Sequence, residues 1–122
     1  MDHVDKSAMM TQYFRCMDTA DFDASAAMFA ADALYLRPPY TPGQAAFEGS
    51  GTTRIEGLQA IREFWYQRGA RNTRHVIQVE SSSAREWFAE GRVSVDDSEP
   101  RLFLTHVTFN DDGKIQRFVA LR

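Results

Sequence analysis

Few side chains in this sequence could move a proton near neutral pH. There are three histidines, His3, His75 and His106, and a single cysteine, Cys16. Imidazole is the side chain whose ordinary pKa lies closest to neutrality, so the histidines come first. They are too dispersed for metal-ligand spacing, and no HExxH pattern occurs. One cysteine can form neither an intrachain disulfide nor a Cys-based metal site. His3 lies by the N-terminus, where a disordered side chain is expected. His75 sits in Thr73-Arg74-His75-Val76-Ile77, a half-apolar alternating run. It reads either as a core histidine bonded to backbone or as a base facing a cavity. His106 has the opposite strand parity to Thr105, so it is expected on an outer surface, at a subunit contact. Asp18 closes a helical stretch, where a negative charge opposes the helix dipole. That misfit points to a specific partner, and a solvated carboxylate is the plain alternative. Tyr13 reads either as a core tyrosine with one hydroxyl partner or as a pocket residue aimed at a ligand. Arg62, Arg68, Arg71 and Arg74 form a loose basic cluster near the end of a helical stretch. It is either a solvated face complementing the helix C-terminus or an anion-binding rim.

Composition bounds the setting. The chain has 122 residues, a net charge of −3 and a pI near 5.5, which suits one domain over residues 1–122. No basic field is available for nucleic acid or an anionic membrane. No apolar run approaches about 18 residues, and no signal-like apolar segment opens the chain, so a cytoplasmic protein is expected.

The elements that must position these residues follow from periodicity. Residues 2–18 read as a helix, with apolar residues at three- and four-residue steps and Asp2 and Asp5 in its first turn. Asp21 is a plausible N-cap for a second helix over residues 21–31. Residues 34–37 alternate as a short strand that Pro38-Pro39 ends. Residues 40–50, rich in Pro, Gly and Gln, read as a loop. Gly49-Ser50-Gly51 is not a phosphate loop, because no GK[ST] follows. Residues 52–56 can return as a strand. Residues 57–68 read as a third helix, with Gly69 at the position of a C′ glycine. From residue 72 the period becomes two. Strands are expected over residues 73–80, 85–95, 102–109 and 114–121, joined by short polar turns as an antiparallel meander. Helices first and a long sheet second make an α+β pattern, with the helices on one sheet face. Phe103, Thr105, Val107 and Phe109 point to one side of their strand, and Leu102, Leu104, His106 and Thr108 to the other.

The order of these elements resembles the nuclear-transport-factor-2-like superfamily, in its SnoaL-like, ketosteroid isomerase-like and scytalone dehydratase-like branch. The phrases that carry the resemblance are Asp21-Phe22-Asp23, Phe29-Ala30-Ala31-Asp32-Ala33, Gly57-Leu58-Gln59-Ala60-Ile61-Arg62-Glu63-Phe64-Trp65, Arg74-His75-Val76-Ile77 and Phe109-Asn110-Asp111-Asp112-Gly113-Lys114-Ile115. The resemblance implies a cone, a curved sheet wrapped around helices with an apolar pocket at its open end. It also implies frequent homodimers. It does not name a reaction, because this fold hosts many.

Compared with ketosteroid isomerases, Tyr13 falls at the oxyanion-hole tyrosine, Arg37 at the proton-moving carboxylate and Thr105 at the second oxyanion donor. An arginine cannot act as a carboxylate base, so steroid isomerisation by that mechanism is rejected. Arg37 could instead bind a carboxylate or enolate oxygen, or pair with an acid at the rim. Compared with scytalone dehydratase and its relatives, Asp18 matches an aspartate that orients a histidine, and His75 matches that histidine. Such a pair fixes the tautomer and can remove a proton beside a carbonyl or a leaving group.

The resulting expectation is a cofactor-independent lyase, isomerase or cyclase acting on a small apolar, oxygenated molecule, with Asp18, His75 and Tyr13 catalytic. Nothing in the sequence resembles a nucleotide or metal motif. Arg37, Phe29, Trp65, Val93, Thr105, Val107 and Phe118 are expected around the substrate, in a cavity of about 300–1,000 Å³. A homodimer is expected on the outer sheet face, where Phe88, Leu102, Leu104 and His106 lie. The alternatives are a non-catalytic binding module, or a structural dimer with a filled cone.

Overall fold

The computed structural model describes residues 1–40 and 51–122. The loop expected over residues 40–50, with Gly49 and Ser50, lies outside the described residues apart from Tyr40. Helix α1 spans His3–Asp18. Asp2 caps it by accepting from the Asp5 backbone N–H, and Asp5 returns the bond as a capping box. Helix α2 covers only Phe22–Ala26, capped by Asp21. The helix expected to continue to residue 31 instead gives way to β1, Phe29–Arg37, which starts five residues earlier than its periodicity indicated. The cause is tertiary. Phe29 pairs with Ile115, and the Ile115 N–H donates to the Met28 carbonyl at 2.8 Å, so sheet pairing overrides the helix preference of the alanines.

Strand β2, Thr53–Glu56, returns antiparallel to β1, and α3, Leu58–Arg68, follows between Gly57 and Gly69, both at positive φ. Then come β3 Thr73–Ser82, β4 Glu86–Val95, β5 Arg101–Phe109 and β6 Ile115–Leu121, an antiparallel meander as the turns predicted. The sheet order is β2-β1-β6-β5-β4-β3, with β1 parallel to β6. The curved sheet wraps the helices as a cone, and one aromatic-rich core fills the body of it. Trp65 lies in its centre, with Phe29, Tyr13 and Tyr35 at ring distances of 5.5, 6.3 and 5.9 Å.

Two local features shape the wall near His75. A bulge between Ile77 and Val79 sets an extra residue against β4. The alternation that would put Val79 inside with His75 and Ile77 therefore slips, and Val79 faces solvent. Opposite Ile77 lies Gly91, where a Cβ would sit 2.3 Å from the Val76 carbonyl oxygen and 2.7 Å from the Phe103 ring. Only a glycine lets Phe103 lie flat against β4.

Candidate functional site

Asp18 reaches the sheet because α1 ends abruptly. Thr19 caps the helix C-terminus, and the following turn closes with the Ala20 N–H on the Met17 carbonyl and the Asp21 N–H on the Cys16 carbonyl. This is the Schellman pattern, built with an alanine at φ 58° where glycine is usual. The turn leaves Asp18 beside the first residues of β3. The Thr73 hydroxyl donates to Asp18 Oδ1 at 2.8 Å, and the His75 backbone N–H donates to Oδ2 at 2.9 Å. His75 Nδ1 stands 2.6 Å from Oδ1. A carboxylate only accepts, so the proton lies on Nδ1 and the Nε2 lone pair is open. Nε2 makes no hydrogen bond among the described residues. The ring is wedged between Phe14 at 4.7 Å and Phe103 at 5.4 Å, which fixes its plane. The misfit of a carboxylate at a helix C-terminus is thus resolved by three donors from β3.

His75 borders a cavity at one end of the cone. The same cavity is lined by Tyr13, Phe14, Met17, Tyr35, Arg37, Arg68, Thr73, Phe103, Thr105, Phe118 and Arg122, among others. These come from the C-terminal ends of α1, α3, β1 and β6 and the N-terminal ends of β3 and β5, which the topology gathers at one end of the sheet. Of the residues expected around a substrate, Arg37, Thr105 and Phe118 are here, with Tyr13 and His75. Phe29, Trp65, Val93 and Val107 are not. They are buried deeper, in the packed core, because the aromatic cluster fills the cone up to the level of Tyr13 and Phe118. The cavity is correspondingly small, about 40 Å³ rather than the several hundred expected. Thr105 does not offer a free hydroxyl proton, since it donates to the Val119 carbonyl at 2.8 Å.

Tyr35, Phe103 and Arg122 carry no expected site role in the sequence, and Arg68 carries one only as a member of the basic cluster. Parity could have found two of them, Phe103 from Thr105 and Tyr35 from Arg37. No local pattern could have brought the ends of α3 and β6 to β1.

The cavity is electropositive on one wall. Arg37 is 5% exposed, and its Nε–H donates to the Pro38 carbonyl at 2.9 Å. The pairing of Arg37 with an acid is not made: no ion pair reaches it among the described residues. Its guanidinium lies 5.0 Å from the Phe64 ring, and that of Arg68 lies 5.7 Å from the same ring. Burial depresses the Arg68 pKa, and Arg37 adds to the effect. Arg122 is an exposed residue, yet desolvation and the like charge of Arg37 push it down to about 10, so it stays cationic at neutral pH. Tyr13 and Tyr35 are hydrogen-bonded. Burial drives the Tyr13 phenol well above its ordinary range. Burial acts the same way on Tyr35, but the charges of Arg37 and Arg68 outweigh it and hold that phenol below its ordinary value. Among the described residues no group of His, Cys, Asp and Glu is arranged to hold a metal ion.

On the outer face of the sheet, His106 Nε2 meets Glu86 Oε2 at 2.5 Å, and its ring stacks on Phe88 at 4.4 Å. It lies on the outer face, as parity required. No helix among the described residues is long and apolar enough to cross a membrane.

The salinomycin pyran-ring enzyme SalBIII, described as epoxide hydrolase/cyclase-like, superposes with a TM-score of 0.74 at 17% identity, over 98% of this chain and 92% of that one. A provisionally assigned polyketide cyclase from Sinorhizobium meliloti gives 0.71 at 21% identity, over 99% and 100%. A provisionally assigned ketosteroid isomerase from Kribbella flavida gives 0.67 at 17%, over 93% and 73%. At these identities the likeness shows the fold alone. No curated protein matches the sequence. The SnoaL-like domain family matches residues 10–118, nearly the whole chain, and the protein therefore belongs to the SnoaL-like family, within the nuclear-transport-factor-2-like superfamily.

Proposed function

We propose that this SnoaL-like domain is a small-molecule enzyme of the dehydratase, isomerase or cyclase type, working without a cofactor through Asp18 and His75. The observation that carries this reading is the 2.6 Å contact between Asp18 Oδ1 and His75 Nδ1 on a ring that borders the cavity. Asp18 holds the Nδ1 proton and stabilises the imidazolium that forms when Nε2 takes a proton. The proton comes from a carbon beside a carbonyl, leaving an enolate. The hydrogen-bonded Tyr13–Tyr35 pair lines the cavity, and because one phenol proton is spent between the two rings, the other serves as the single hydroxyl donor to the enolate oxygen. The imidazolium then returns the proton to another carbon, or to a departing hydroxyl that leaves as water.

A substrate needs more room than about 40 Å³. The side chains able to yield are the long unbranched ones at the edge, Met17 and Arg122. The test is proton exchange in D2O. The protein is incubated with a panel of small ketones, β-keto acids and β-hydroxy acids, and C–H signals are followed by NMR. Deuterium entry beside the carbonyl, abolished by His75→Ala, supports the reading. Exchange that persists in His75→Ala sinks it.

The small cavity also favours a second reading, a structural dimer whose cone is closed by its own side chains. Both readings share the dimer. Phe88, Leu102, Leu104 and Leu121 are exposed on the outer sheet face, and a groove of about 330 Å³ is lined by Phe88, Leu104 and Leu121 among others. A contiguous apolar patch of this kind suits a second copy of the chain. A monomeric mass by ultracentrifugation at micromolar protein would count against it. We place the protein in the cytosol, on the strength of a single buried thiol with no disulfide partner.

A further inference from the structure

The cavity's chemistry points past proton transfer to the charge of what it binds. Among the described residues three arginines line it, and no Asp or Glu does. The Asp18 carboxylate, beside His75, is already engaged by Thr73 and His75. Arg37 is almost wholly buried and has no acidic partner among the described residues. Arg68 has its Nε atom buried with no hydrogen-bond partner among the described residues. Buried cations without counter-charges are costly, and an unpaired buried N–H adds to that cost. A fold that keeps both has a use for them. Phe64 lies beneath both guanidiniums and orders them as a pair. Arg37 leaves β1 and His75 leaves β3, with β6, β5 and β4 between them in the sheet, so the two approach the cavity from opposite sides.

We propose that Arg37 and Arg68 form a carboxylate-binding subsite, so that the substrate is a small organic acid anchored by its carboxylate with its reactive carbon turned toward His75. The inference rests on reading the cavity as the ligand site. A planar guanidinium pairs with a carboxylate through two parallel N–H···O bonds, which sets orientation as well as affinity. The subsite thus decides which carbon meets Nε2, and the Tyr35 hydroxyl beside the arginines is within the same enclosure for an adjoining oxygen.

The experiment uses butyrate and benzoate against their amides, with inorganic phosphate as a third probe. Each is titrated into the protein and followed through the ring-proton NMR signals of His75 and Tyr35. The acids should bind at least about tenfold more tightly than the amides, the factor that one charged hydrogen bond supplies. Arg37→Met and Arg68→Met, which keep the stem and lose the charge, should each abolish that preference, whereas His75→Ala should keep it. Equal affinity for acid and amide, tighter binding of phosphate, or shifts that bypass His75 and Tyr35 would overturn the subsite, and these comparisons need no variant to fold. Wild-type preference retained in both methionine variants would overturn it too. The two proposals fail separately. Acid binding without deuterium exchange removes the catalytic reading and leaves the subsite; exchange on neutral ketones without acid preference does the reverse.

Discussion

All three histidines stand near a carboxylate, and the three pairs differ in their surroundings more than in their contacts. Inside the cone, Asp18 and His75 meet at 2.6 Å with side chains 19% and 10% exposed. On the outer face, Glu86 and His106 meet at 2.5 Å, yet they are 38% and 30% exposed. At the N-terminus, His3 and Glu80 stand 3.8 Å apart, 49% and 29% exposed. A short histidine–carboxylate distance is therefore no mark of a site. Asp18 is held by two further donors, and its histidine is clamped between aromatic rings and lines a cavity. Glu86 and His106 have one apolar stacking partner and an exposed sheet face. Low dielectric and fixed geometry give the inner pair its leverage, and solvent screening removes it from the outer ones.

The contrast can be broken most directly by deleting each imidazole. His75→Ala should lower the rate of deuterium exchange by about 10²–10⁴-fold, the usual worth of a general base, and His106→Ala should leave it unchanged. Asp18→Asn should also lose exchange while the protein stays folded, since the amide can present its N–H and favour the wrong tautomer of His75. Comparable losses in the two histidine variants would erase the distinction between inside and outside.

Stability should separate the pairs as well. Asp18→Ala strands the donors of Thr73 and His75 and should cost about 3 kcal/mol in chemical denaturation. Glu86→Ala should cost no more than about 1 kcal/mol, as exposed ion pairs do. The rings around the inner pair offer a subtler handle. Gly91→Ala forces a methyl group onto the Val76 carbonyl and the Phe103 ring. It should cost about 1–3 kcal/mol by overpacking and shift the His75 ring signals, because Phe103 packs on that imidazole. An unshifted His75 spectrum would show that the aromatic clamp is not what orients it.

The smallest effect belongs to Glu80. A hydrogen bond from Ser7, with help from the Trp87 indole N–H at 3.0 Å, holds its carboxyl below the ordinary 4.5 against the opposing pull of burial. A lowered folded pKa stabilises the protein fully above the unfolded value, and the contribution fades as pH falls through the folded one. Glu80→Gln should flatten the acid limb of the stability curve below about pH 4.5. Because the group is partly solvated, the change should stay under about 1 kcal/mol. An unchanged acid limb would place the acid sensitivity on other carboxylates.

What the sequence determined by itself was local and periodic. The four meandering strands were legible because each alternates and each ends in a polar turn. Three-residue steps and an acidic first turn marked α1 in the same way, and Gly69 stopped α3 where a C′ glycine should. The parity of β5 put Phe103 and Thr105 inside and His106 outside. A negative charge at a helix C-terminus even hinted that Asp18 had a partner, and the family resemblance supplied His75. Tertiary structure decided the rest, because it depends on contacts between residues far apart in the chain. Pairing of Phe29 with Ile115 cut α2 short, although its alanines favour a helix. A bulge opposite Gly91 turned Val79 outward, which strict alternation cannot anticipate. Above all, packing depth set the cavity. Phe29, Trp65, Val93 and Val107 have the apolar character of pocket residues, but the aromatic cluster closes over them. The cavity edge then falls to Arg37, Arg68 and Arg122, brought together only because β1, α3 and β6 end at the same level of the cone. Side-chain volume summed over the whole core sets that level, and no stretch of sequence holds the sum.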